Sequence, residues 1–128
     1  MPLAVLLSPA NTHDSRMLEA LLDAVPPIRT PAGRRRRRPA KLHADKGYDY
    51  RRCRDACRRR GIKHRIARKG IEPSDRLGQH RWVVERTLAW LGRYRRLTIR
   101  YERRADIHHA FHLLACSLVC LRRIEGRF

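Results

Sequence analysis

Two short stretches, Lys41–Ala44 and residues 62–67, flank a segment of helix length, and that order constrains the fold more than any other feature of the chain. The first, K-L-H-A, ends at Asp45, ahead of the turn-forming run Lys46-Gly47-Tyr48-Asp49. Residues 50–60 then read as a helix that Asp49 can cap and Gly61 closes. The second stretch, I-K-H-R-I-A, points Ile62 and Ile66 the same way along a strand. Strand, helix, strand and helix in succession with short links predict an α/β fold whose sheet has parallel neighbours.

The flanking elements follow from the same kind of reading. Residues 3–7 form an aliphatic run, expected as a buried strand that Pro9 ends. Asn11-Thr12-His13-Asp14-Ser15 supplies cap chemistry for a helix over residues 16–24, with Met17, Leu18, Leu21, Leu22 and Val25 as its apolar face. His13 and Asp14 have ligand chemistry, but Asp14 is more simply a cap. Pro26-Pro27 stops that helix, and residues 28–39 read as a loop. Residues 69–79 have no periodicity, and a helix over 80–91 follows. Residues 97–101 alternate like a short edge strand. Asp106 can cap a last helix over 107–123, in which Ile107, Ala110, Phe111, Leu114, Leu118 and Leu121 make a wide apolar stripe. On it the pair His108/His112 has the i,i+4 spacing of a metal site, should both be exposed. No segment repeats.

Charge sets the partner class. The chain carries a net +19, with 27 Arg against 4 Lys. A GC-rich coding sequence accounts for Arg over Lys but not for the size of the charge. Guanidinium forks pair bidentately with phosphates, so polyanions are the natural partners. Nucleic acid is preferred to an anionic membrane because no amphipathic basic helix stands alone. A hydrophobic share of 42% excludes a disordered basic tail, and 128 residues suit one domain better than two. No apolar run approaches the ~20 residues of a membrane span, and residues 2–7 lack the flanks of a signal peptide. A cytoplasmic protein is expected. Cys53/Cys57 and Cys116/Cys120 are i,i+4 pairs on expected helices, which suits buried reduced thiols better than zinc knuckles.

Glu85 is the single acid in R-W-V-V-E-R-T-L-A-W-L-G-R-Y-R-R-L, residues 81–97. It could pair with Arg81 one turn earlier on a solvated helix, worth a few tenths of a kcal/mol. It could instead hold a cation in a basic groove facing DNA. Asp45 favours the second use, since it ends a strand where open α/β sheets present ligand sites. Two carboxylates from different elements suit Mg2+, which keeps waters and takes few protein ligands. A metal pair can activate water or a 3′-hydroxyl for attack on a phosphodiester. The block Arg34, Arg35, Arg36, Arg37 and Arg38 is either a solvated loop or, as the overall charge favours, a phosphate contact giving affinity without sequence choice. Trp82 and Trp90 can stack on bases or pack beneath their helix.

L-H-A-D-K-G-Y-D (residues 42–49) followed by R-W-V-V-E-R-T-L-A-W-L (81–91) resembles the bacterial insertion-sequence transposases with a DDE active site, and most of all the insertion-sequence-five group. Similarity extends through P-L-A-V-L-L…N-T-H-D-S, G-I-K-H-R-I-A-R-K-G and R-R-L-T-I-R-Y-E-R-R-A-D-I-H-H-A-F-H-L-L-A-C-S-L-V-C-L-R-R, and so over nearly the whole chain. The resemblance implies an α/β, ribonuclease-H-like fold, with a short mixed sheet and packed helices. It implies Asp45 and Glu85 as second and third acids of a triad that binds Mg2+, with Mn2+ as a substitute. The reactions implied are hydrolysis at transposon ends and strand transfer to target DNA.

Arg81 matches the family's Arg ahead of its Glu, whereas the family's flanking Tyr and Lys are replaced by Gly78 and Gly92. DNA contacts are expected from Arg34–Arg38 and from Lys46, Arg81, Arg86, Arg93, Arg95 and Arg96. The family's first acid, first two strands and amino-terminal DNA-binding region have no match, so this chain is expected to be the C-terminal part of a catalytic domain, inactive by itself. Its expected partners are DNA, an upstream half or a full-length transposase, and a possible second copy, in a bacterial cytoplasm near the nucleoid. The alternatives are a basic DNA-binding protein without chemistry, and a truncated transposase acting as a regulator.

Overall fold

The computed structural model describes residues 2–71 and 78–126, with the backbone alone over 78–84. It is a mixed α/β structure of short sheets and several helices. The chain divides into two units, Ser8–Arg81 and Met1–Leu7 with Trp82–Phe128.

In the first unit a 3₁₀ turn (Asp14–Arg16) leads into α1 (Leu18–Asp23), β1 (Ile28–Arg29), β2 (Arg35–Arg36), β3 (Lys41–Ala44), a second 3₁₀ turn (Lys46–Tyr48), α2 (Arg51–Arg59) and β4 (Lys63–Ile66). β3 and β4 pair in parallel, with Leu42 opposite His64 and Ala44 opposite Ile66, as the strand–helix–strand order predicts. α2 is largely arginine, yet Cys53, Ala56 and Cys57 fall at i, i+3 and i+4 and are buried. These thiols pack with Leu18, Leu22, Ile62 and Ile66 into one core, which Leu42, Ala44, Tyr48 and Tyr50 flank. Gly61, at φ +65°, ends α2 in a full Schellman motif. Its N–H donates to the Arg58 carbonyl at 2.9 Å, and the Ile62 N–H donates to that of Cys57 at 2.9 Å.

Both helix caps expected in this unit are corrected. His13 has the extended backbone of the cap position, and its Nδ1 accepts from the Ser15 N–H, so Asp14 becomes the first residue of the turn. Tyr50 occupies the cap position of α2 without a side-chain bond. Asp49 instead accepts from Arg54 at 2.5 Å and from the Lys69 N–H at 2.8 Å, tying α2 to the chain beyond β4.

Arg60 clamps α1 to the end of α2. Its fork donates to both oxygens of Asp23, at 2.8 and 2.7 Å, and to Glu19 at 3.1 Å, while Arg59 adds a second bond to Glu19 at 2.8 Å. Hydrogen bonds from Arg59 and Arg60 hold Glu19 below its ordinary 4.5, and Arg60 holds Asp23 below 3.8. Carboxyls depressed in the folded state add stability that is present above their ordinary values and lost as pH falls through the depressed ones. Urea denaturation at decreasing pH should therefore show the first unit weakening through the acid range, and Arg60→Ala should flatten that loss. An unchanged acid profile in Arg60→Ala would contradict the clamp.

Residues 28–39, expected as a loop, contain an antiparallel hairpin with Ile28 opposite Arg36 and Arg29 opposite Arg35. The turn is built by Thr30-Pro31-Ala32-Gly33. The Gly33 N–H donates to the Thr30 carbonyl and the Thr30 N–H to the Arg34 carbonyl, both at 2.9 Å. That is a type I turn with proline at its favoured second position, followed by Gly33 at φ +75°. The expected single mixed sheet is thus two separate two-stranded sheets among the described residues, one parallel and one antiparallel.

The second unit contains α3 (Gly78–Leu91) from Trp82 onward, α4 (Arg95–Thr98) and α5 (Ala105–Ile124). Residues 3–7 are not a strand. Their backbone meets side chains of α5 instead of a neighbouring strand: His109 Nε2 donates to the Val5 carbonyl at 2.9 Å, and Cys120 Sγ lies 3.8 Å from the Pro2 carbonyl. Residues 97–101 are likewise not a strand, because the Leu97 and Ile99 N–H groups bond back to Tyr94 and Arg95 in helical register. Asp106 does not cap α5; Arg104 holds the cap position, and Asp106 pairs with Arg104 from the first turn. The buried face of α5 is also not the expected stripe. His108, Ala115 and Val119 are buried, whereas Ile107, Leu114 and Leu121 stay exposed. None of the described helices is long and apolar enough to cross a membrane.

Candidate metal and nucleic-acid site

Asp45 follows β3 directly and caps the 3₁₀ turn Lys46–Tyr48, its Oδ1 accepting the Gly47 N–H at 2.8 Å. A Cβ on residue 47 would sit 3.0 Å from that oxygen, a tight contact that glycine avoids. The bond fixes the carboxylate's rotation and commits one oxygen. Oδ2 of this exposed side chain has no hydrogen-bond donor among the described residues. Half-buried Tyr48, in the same turn, packs against the core. Burial pushes its phenol up, and the charges of Asp14 and Asp45 push it further.

Glu85 is exposed on α3, in the second unit. Next to it Arg86 stacks over the half-buried Trp90 ring at 4.9 Å. The side chains of Arg81 and Trp82, and so the expected Arg81–Glu85 pair, lie outside the described residues.

The remaining expected DNA contacts differ in how committed they are. Arg93 is exposed. Arg95 reaches the Tyr101 hydroxyl at 3.5 Å, and Arg96 bonds Glu102 at 2.9 Å while lying over the Tyr101 and Phe111 rings. Arg96 thus braces α4 against α5, and only its outer part can serve a phosphate. In the first unit, Arg36 donates to the Arg38 carbonyl at 2.9 Å and Arg38 to the Arg60 carbonyl at 3.3 Å; Lys46 lies in the turn after Asp45.

Residues 1–120 match the family model of the Transposase DDE domain. The chain belongs to this family. It is also 52% identical over 127 residues to a putative transposase for insertion sequence element IS402 from Burkholderia cepacia, covering 97% of this chain and 60% of that relative. The chain thus spans about 60% of the length of the curated relative it matches. No solved structure matches it.

This member of the DDE transposase family also holds a buried polar pair that the sequence did not suggest. The Glu102 side chain is 7% exposed, and its Oε2 lies 3.4 Å from Nδ1 of His108. Burial pushes Glu102 up, but its own N–H, the Arg96 guanidinium and the neighbouring His108 ring outweigh this and hold it below its usual range. A lone acid among Arg100, Arg103 and Arg104 looks solvated in sequence, so no signal marked it. The His108/His112 pair is not an exposed metal site: His108 is buried, and His112 Nδ1 donates to its carbonyl at 3.0 Å. Among the described residues no cluster of three or more His, Cys, Asp or Glu forms a metal cage. All four cysteines are free thiols, and burial raises Cys53, Cys57 and Cys116.

Proposed function

We propose that this chain is the C-terminal part of a ribonuclease-H-like transposase domain, in which Asp45 and Glu85 are two of three acids that hold divalent metal for cutting and joining DNA at insertion-sequence ends. The observation that carries the reading is the Asp45 carboxylate, fixed at a strand end by Gly47 with its second oxygen uncommitted. Oxygen donors on exposed carboxylates fit Mg2+ or Mn2+, which tolerate incomplete protein coordination. When bound, the metal supplies Lewis-acid stabilisation of charge on the reacting phosphodiester. Asp45 and Glu85 hold it. Exposed arginines, with Arg34, Arg35, Arg37 and Arg93 foremost, neutralise the DNA backbone and keep it over the acids. The remaining acid, the first of the triad, comes from sequence outside these 128 residues, so the chain is inactive until completed by an upstream segment.

A nicking assay on supercoiled plasmid with Mg2+ or Mn2+ tests this, on the chain alone and after co-expression with an upstream transposase segment. Cutting is expected only from the mixture. Silence from both, with salt-sensitive DNA binding kept, would contradict it in favour of a DNA-binding protein or regulator without chemistry. Cutting by the chain alone would contradict the need for an outside acid.

A further inference from the structure

Two observations on the hairpin are independent of the acids. First, the ribbon places Arg29 directly across from Arg35, a like-charge pair that opposes strand pairing. Nothing acidic relieves it: among the described residues, Arg29, Arg34, Arg35 and Arg37 are exposed and have no ion pair or side-chain hydrogen bond. Second, the arginines of the block are divided by role. Arg36 and Arg38 turn their guanidinium groups onto backbone carbonyls, of Arg38 and of Arg60, and so fasten the second strand to the end of α2. A ribbon held by two arginines, with the others left unpaired at neighbouring positions, presents a cationic face whose self-repulsion a polyanion would relieve.

We infer that the β1–β2 hairpin is a groove-entering grip on duplex DNA, in which Arg29 and Arg35 bind phosphates as a cross-strand pair while Arg36 and Arg38 anchor the ribbon. This rests on the reading that the chain acts on DNA. A two-stranded ribbon fits the width of the B-form major groove, whereas the A-form groove of duplex RNA is too narrow for side chains to enter. Arg29, outside the five-arginine block, joins the contact only because the hairpin pairs it with Arg35. Gly33, at φ +75°, is what lets the turn close and set that pairing.

The test is the salt dependence of binding of the full 128-residue chain to a fluorescein-labelled duplex DNA, followed by anisotropy across a KCl series. R29Q/R35Q should lower the slope of log affinity against log salt by about 1.8, two phosphate contacts at about 0.9 each. The charge-matched R122Q/R123Q, at the end of α5, should leave the slope near wild type. G33V keeps every charge but strains the turn, and should lose slope as R29Q/R35Q does; far-UV circular dichroism checks that each variant keeps its helices. Equal slope losses in R29Q/R35Q and R122Q/R123Q, or a wild-type slope in G33V, would overturn the grip and leave only diffuse charge. Tighter binding to an RNA duplex of the same length, with the same dependence on Arg29 and Arg35, would overturn the choice of DNA. Hairpin variants that bind like wild type while the completed protein still nicks would overturn the grip alone; a wild-type chain that binds no duplex would overturn it together with the proposed function.

Discussion

Asp45→Asn and Glu85→Gln are each expected to reduce Mg2+-dependent nicking by the completed transposase about a thousandfold, with duplex affinity unchanged. A carboxamide at residue 45 still offers an oxygen to the Gly47 N–H, which the aspartate now accepts at 2.8 Å, so the turn after β3 keeps its shape. What it removes is the anion. Charge stabilisation by a bound cation is worth several kcal/mol, and each 1.4 kcal/mol of barrier is roughly tenfold in rate, so a loss near 10³ follows. Single-turnover nicking with matched anisotropy measurements separates the two effects. Retained nicking in Asp45→Asn would reduce Asp45 to a turn-forming residue. Loss of binding and nicking together would place both acids in folding instead of chemistry.

The second large effect is in the core beneath that site. Ile66 is 3% exposed at the end of β4, opposite Ala44 and packed with Leu18, Leu22, Cys53, Cys57 and Ile62. Ile66→Ala should cost about 2–5 kcal/mol, a large share of a small domain's ~5–15 kcal/mol. Because Ala44 precedes Asp45, the same change should also weaken metal-dependent nicking through the strand that positions the acid. Leu114→Ala, on a side chain that is 55% exposed, should cost less than about 0.5 kcal/mol. Urea midpoints of the two variants give the comparison. Equal costs would mean that the apolar stripe of α5 is as well covered as the β3–β4 core.

The contrast between those two residues also shows what a sequence can carry. β3, α2 and β4 were legible because period-2 and period-3.6 patterns survive even in an arginine-rich chain: Cys53, Ala56 and Cys57 mark one helix face, and Ile62 and Ile66 one strand side. On α5 the pattern marks which residues are apolar but not which the neighbours cover, so His108 and Val119 are buried while Ile107 and Leu121 are not. The hairpin was missed because strands of two residues have no period. Its signal was turn chemistry, Pro31 with Gly33. Residues 3–7 and 97–101 have strand-like composition, but neither meets a strand partner, and short alternation yields to whatever backbone partners lie nearby. At the site, Asp45 was legible from its place between a strand and a glycine turn. The cap of the first 3₁₀ turn was not, since Asp14 ahead of a helix looks like the cap until His13 is seen in that role.

The most direct test of the central claim is iron-mediated cleavage of the completed transposase. Fe2+ replaces Mg2+, ascorbate and peroxide are added, and the protein fragments are mapped by mass spectrometry. Radicals generated at a bound ion cut the backbone nearest to it. The proposal predicts cuts around Asp45 and around Glu85, both suppressed by excess Mg2+ and both lost in Asp45→Ala. Cuts confined to other segments, or cuts at one acid that ignore the loss of the other, would show that these two carboxylates do not share a metal.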